Sequence, residues 1–202
     1  ARLISHSFQR HGASVIRTTH GGDAALFDDP LWAPIELPFA GTYITYGVQS
    51  AIQINKFAER HKSARNAVDQ IPVMAVGSQF HREILERASP GSRVETVHVV
   101  SASFSGIYRS IPNVKIHDVV YYDWHRRLLQ LVRSAGFTAV AKRHPKGRGA
   151  DLSVYDDVAS EELKLARMSD SFDLVDAYVT DIAGGAFIEA LCTLKPIVFV
   201  DI

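Results

Sequence analysis

From Tyr121 onward the chain alternates stretches of helical period with short apolar runs, joined by short connections. Such alternation specifies a parallel sheet flanked by helices, because parallel strands need crossovers and helices supply them. Asp123 is placed to cap a helix over 124–135, where Trp124, Leu128, Leu131 and Ala135 recur at helical spacing and Gly136 is placed to end it. A strand is expected over 137–141, a second helix over 158–168 with Leu163, Leu165, Ala166 and Met168 as its apolar positions, and a strand over 176–181. Gly184-Gly185 opens a helix through Phe187, Ile188, Leu191 and Leu194, and Lys195-Pro196 stops it. The closing run 197–201 reads as a buried strand. The expected fold class is therefore α/β, a Rossmann-like parallel sheet flanked by helices.

The first half is less regular. Strands are expected over 42–48, 73–78 and 94–101, with helices over 50–60 and 79–87. The stretch 103–118, with Gly106, Pro112 and Asn113, reads as loop. The run Ala88-Ser89-Pro90-Gly91-Ser92 has the composition of a linker and divides the chain into 1–90 and 91–202. The chain opens at Ala1 without Met and closes on an uncovered strand, so it reads as an internal portion of a longer protein, with the fold incomplete at both ends.

Charge and cysteine content narrow the function. Lys plus Arg and Asp plus Glu number 22 each, so no net charge draws the chain to nucleic acid. Cys192 is the single cysteine, which excludes an intrachain disulfide and a cysteine-built zinc site and suits a reducing, cytoplasmic setting. Cys192 itself is expected to be buried on an apolar helix face. No apolar run reaches the ~20 residues of a membrane span, which leaves peripheral association at the inner face of a membrane through segments outside the chain.

Three loops concentrate the reactive side chains, each beside an expected strand, and ligands of open α/β sheets bind at the strands' carboxyl ends. The first holds Gln9-Arg10-His11-Gly12 and Thr19-His20-Gly21-Gly22-Asp23. An imidazole next to glycine on an uncluttered turn is suited to take a proton from an attacking hydroxyl, so His11 and His20 are the candidate catalytic bases. The spacings of His6, His11, His20 and Asp23 match no standard zinc pattern, and no metal or cofactor is expected. The second loop carries Lys142, Arg143, His144 and Lys146 around Pro145, a set able to neutralise a diphosphate, with Arg148 beyond. The third runs from Thr180 and Asp181 through Ala183, Gly184 and Gly185 into a helix whose first N–H groups suit an anion. Glu189, one turn further in, is placed to hold ribose hydroxyls. Each motif also has a plain structural explanation, as a glycine turn or a solvated basic loop.

In order along the chain, His11-Gly12, Gly77-Ser78, His144-Pro145, Thr180-Asp181 and Lys195-Pro196 resemble the pattern of GT-B glycosyltransferases, and within them the CDP-glycerol glycerophosphotransferases and related capsule and surface-polysaccharide transferases. The resemblance implies transfer of a sugar or polyol-phosphate from a nucleotide-activated donor to the hydroxyl of a glycan or lipid-linked acceptor. It assigns 1–90 to the end of an acceptor-side lobe with the interlobe segment and 91–202 to the donor-binding lobe. His11 becomes the base and His144 a donor-phosphate ligand. Where that pattern has two serines this chain has Ala183-Gly184. Its Gly-Gly-Ala-Phe-Ile-Glu-Ala-Leu stretch is also similar to the glycine turn of UDP-N-acetylglucosamine 2-epimerases, which keeps an epimerase, or a sugar-nucleotide-binding lobe without turnover, as alternatives.

Overall fold

The computed structural model describes residues 2–19, 37, 40–60, 71–91, 93–101, 108–111, 114–142, 155, 157–163 and 167–200; of 2, 108–111, 114–116 and 161–163 it describes the backbone alone. The chain forms two compact units, Ala1–Phe80 and His81–Ile202, and the division falls within helix α3 (Gln79–Arg87), ahead of the 88–93 run.

In the first unit, β1 (Ile16–Thr18), β2 (Thr42–Thr45) and β3 (Val73–Ala75) make a parallel sheet in sequential order. Helix α2 (Val48–Arg60) lies between β2 and β3 in the chain, and its Ile54 and Phe57 close a small core with Leu37 and Tyr43. Helix α1 (Arg2–Arg10) falls outside the expected elements, and β1 is the strand beside the first loop, for which the sequence sets no bounds. Leu3, Ile4 and Phe8 of α1 are exposed, so no buried stripe marks the helix.

The second unit is built on β4 (Thr96–Val100), β7 (Thr138–Lys142), β8 (Glu161–Leu163), β9 (Ala177–Thr180) and β10 (Ile197–Phe199). All pair parallel in the order β10-β9-β4-β7-β8. Counting the strands of this sheet as they occur, the order is 3-2-1-4-5, that of a doubly wound sheet, and the winding reverses between β4 and β9.

Strand alternation sorts the side chains onto two faces. Val97, Val99, Ala139, Ala141, Ala177 and Val179 face helix α4 (Asp118–Ser134), packing on its Leu129 and Val132 and on Tyr155 and Val158. Val100, Val140 and Tyr178 face the other way, against Ile84 of α3, Met168, Phe172 and Val175, and Ala190 of α5 (Gly185–Leu191). With helices on both faces, the α/β architecture is that of parallel sheets flanked by helices.

Several elements differ from expectation, for identifiable reasons. Helix α4 begins at Asp118, not at 124, and Asp123 sits inside it, 2.8 Å from Arg127 one turn on. Its buried stripe is Tyr121, His125, Leu129 and Val132, and Leu131 is 64% exposed. The helix does end at Gly136, whose φ of +91° few side chains tolerate. Among the described residues of 158–168 there is no α-helix, and Leu165 and Ala166 lie outside the described residues. Val158 lies in a turn, and Glu161–Leu163 pairs with Val140–Lys142 as β8, so sheet pairing overrides the helix preference of Glu and Leu. The 103–118 stretch contains an antiparallel hairpin, β5 (Tyr108–Ile111) with β6 (Val114–His117). Strand β10 is an edge strand with Val198 and Phe199 exposed, and Cys192, just past α5, is half-buried. Among the described residues no helix is long and apolar enough to cross a membrane.

Candidate functional site

At the carboxyl edge of the second unit, the register places Lys142 and Thr180 on either side of Val100, all three on the α5 face. Lys142 ends β7 with only 8% of its surface exposed. A lysine so enclosed keeps its charge only where a counter-charge or hydrogen bonds compensate for lost water. The Ser101 hydroxyl donates to the Lys142 carbonyl at 3.3 Å, tying the ends of β4 and β7 together. After β9, Thr180 Oγ1 donates to the Ile182 carbonyl and accepts from its N–H, which turns the chain at buried Asp181 toward Ala183, Gly184 and Gly185. Gly184 is the N-cap of α5 with φ of −101°, and a Cβ built there meets nothing within 4 Å. Glycine is thus not required there by backbone geometry, and the space over the turn is open.

Glu189 and Ala190 sit one turn into α5. Ala190 is buried against the sheet, whereas Glu189 is half-buried. Burial raises the Glu189 carboxyl above the usual range, and the Lys142 charge opposes that shift. Two opposite charges, contributed by β7 and α5, therefore act on one another beside the point where the winding reverses. Below them on the same face lie His98 and Tyr178, paired in register and with ring centroids 6.0 Å apart. His98 is 1% exposed, and burial, reinforced by the Lys142 charge, lowers its pKa from 6.5 to about 4. Burial likewise raises the Tyr178 phenol.

The opposite, amino edge is different in kind. Asp176 Oδ2 accepts from the Glu95 and Thr96 N–H groups at 2.9 and 2.8 Å, and those backbone bonds, Thr96 first, hold its carboxyl below the usual range. Lys195 Nζ donates to the carbonyls of Phe172 and Val175. A cavity of about 230 Å³ lies here, lined by Ile84, Arg87, Phe172, Thr193 and Lys195 among others. The Asp176 and Lys195 charges at this edge are engaged in holding loops to strands.

Of the residues singled out from the sequence, Lys142, Ala183, Gly184, Gly185 and Glu189 gather at the carboxyl edge of one sheet. Arg143, His144 and Lys146 lie outside the described residues, as does His20 with Asp23. His11 belongs to the first unit, at the end of α1 rather than after a strand. Its Nδ1 bonds the Ser7 carbonyl at 2.8 Å, and Gly12, with φ of +79°, closes the helix. A carbonyl only accepts, so Nδ1 is the donor in this bond, and in the neutral ring the lone pair is then on Nε2. Among the described residues no three His, Cys, Asp or Glu side chains are grouped to hold a metal ion. Sequence reasoning missed His98, Ser101 and Tyr178. The signal for His98 was a polar residue inside the apolar run Val97-His98-Val99-Val100. No protein-family model matches the chain, and no curated protein matches it.

Proposed function

We propose that the second unit binds the phosphates of a nucleotide-activated sugar or polyol at the carboxyl edge of β4, β7 and β9. In this reading it is the donor lobe of a GT-B-type transferase that passes the activated group to an acceptor hydroxyl in surface-polysaccharide synthesis. The observation that carries the reading is the buried Lys142 ammonium beside the reversal of winding between β4 and β9, where open α/β sheets take their ligands. A cation held in a low-dielectric edge stabilises the charge that develops on a leaving diphosphate. Arg143 and Lys146 follow it within four positions in the sequence, with His144 between them, and add positive charge to that stretch of chain. The open turn at Ala183, Gly184 and Gly185 lets a phosphate approach the backbone, and Glu189 faces the ribose hydroxyls. His11 and His20 are the bases for the acceptor hydroxyl, and the Ser7 contact gives His11 the tautomer a base needs.

Calorimetric titration with UDP, CDP and GDP tests the reading. One of them binds wild-type protein, and Lys142→Met weakens it roughly tenfold or more, the loss of a charge-assisted contact. Absence of binding by all three overturns the proposal. Incubation with UDP-N-acetylhexosamine and no acceptor separates the epimerase alternative, which alone releases an epimer.

A further inference from the structure

His98 is an expensive residue to keep where it is. The strand positions around it on the same face are Val100, Val140 and Tyr178, and α3 and α5 cover them with Ile84 and Ala190. Neither ring nitrogen has a hydrogen-bond partner among the described residues. A buried donor and acceptor left unbonded weaken the fold, and an apolar side chain of similar volume removes that loss. Natural chains keep such a group where function needs it.

The neighbourhood indicates which function. His98 pairs with Val140, two residues before Lys142 and on the same face, so the imidazole lies diagonally beneath the Lys142 side chain. The field of Lys142 reaches it, one cause of its remaining neutral. A neutral imidazole offers one nitrogen lone pair, and an ammonium offers three N–H donors. When an anion takes the donors that face the crevice, a donor turned down the sheet face toward Val140 has His98, the register partner of Val140, as the acceptor one layer down.

Resting on the diphosphate reading above, we propose that His98 is a positioning residue for the anion site: in the ligand-bound state its neutral ring accepts a hydrogen bond from the Lys142 ammonium and holds that cation toward a diphosphate at the carboxyl edge. Lys142 touches the ligand, and His98 acts through it.

The test uses the whole chain, with inorganic pyrophosphate and the nucleoside diphosphate that binds wild type as probes, read by calorimetry, and with melting temperature read without ligand. His98→Met melts higher than wild type yet binds both probes about tenfold more weakly. His98→Gln, which restores an acceptor, recovers most of that affinity. In a Lys142→Met background, His98→Met has no further effect on affinity, as expected for residues acting as one unit. The inference falls if wild type binds and His98→Met binds equally well, or if the loss is the same in both backgrounds. It also falls if His98→Met and His98→Leu both melt lower, for then the imidazole serves the fold. If wild type binds neither probe, the functional reading falls, and this inference with it.

Discussion

The two faces of the five-stranded sheet are made by the same strands and do different work. On the α4 face, β4, β7 and β9 contribute only Ala and Val, packed on Leu129 and Val132. On the α5 face the same strands contribute His98, Val100, Val140, Lys142, Tyr178 and Thr180, and α5 adds Glu189. A sheet needs two apolar faces to be stable, and only one of these is wholly apolar. Polar groups accepted on the second face lie mostly toward the carboxyl ends, where the winding reverses. The two ends of the sheet repeat the lesson. Charges at the amino end bond backbone groups, whereas Lys142 and Glu189 at the carboxyl end act on one another. One face and one end hold the fold with apolar packing and backbone bonds; the other face and end carry the buried polar groups.

The largest effect lies on the α4 face. Leu129 is 0% exposed, and Leu129→Ala removes its contacts and leaves a cavity, costing about 4 kcal/mol in urea unfolding with no change in pH dependence. The α5 face gives the opposite signature. The native His98 ring takes its proton only near pH 4, whereas the unfolded chain takes one near 6.5. Between those values the unfolded state holds more protons, so stability falls as pH falls across that window, by about 3 kcal/mol in total, and levels off below it. In His98→Met this slope disappears. Asp176 adds a smaller loss in more acid solution. Its native pKa is depressed, so its contribution is present above the ordinary carboxylate range and disappears as pH falls through the native value. Asp176→Asn flattens that part of the profile and leaves the His98 window intact. Unfolding curves that keep the His98 slope in His98→Met would assign it to another group.

What the sequence made legible follows the same division. The β4, β7 and β9 strands, Gly136 as a stop and the Gly184 turn are local signals, and each was placed within a few residues. The positions of Lys142 at a strand end and of Glu189 one turn into a helix were legible because a basic run after a strand and a carboxylate after a glycine turn are spacings along the chain. The segment 161–163 was not, because Glu and Leu favour helix and only pairing with β7 makes it a strand. Asp123 looked like a cap because a carboxylate ahead of an apolar period usually is one; here the helix had already begun at Asp118. The buried stripe of α4 differs from the apolar period because it includes His125, set edge-on against the rings of Tyr121 and Trp124, a residue no apolar pattern selects. His98 escaped for the same reason. Its meaning depends on which face of β4 it takes and on Lys142, which lies 44 positions later (142 minus 98).

The smallest expected effects come from two glycines that differ only in backbone conformation. A Cβ at Gly136 or at Gly184 meets nothing within 4 Å, so sterics with neighbours do not distinguish them. Gly136 has φ of +91°, a conformation that strains an L side chain, and Gly136→Ala costs about 1 kcal/mol by thermal unfolding while leaving ligand affinity unchanged. Gly184 has φ of −101° and ψ of −165°, which serine adopts freely, and it is the N-cap of α5, a position serine favours. Gly184→Ser therefore raises stability by a few tenths of a kcal/mol, on the order of the gain from a better cap. It also places a hydroxyl where the GT-B pattern that the sequence resembles has serine. If the turn receives a diphosphate, that hydroxyl strengthens binding severalfold, about 1 kcal/mol for an added hydrogen bond. A Gly184→Ser protein of unchanged fold and unchanged diphosphate affinity would move the phosphates away from this turn and leave Lys142 as the only described contact for them.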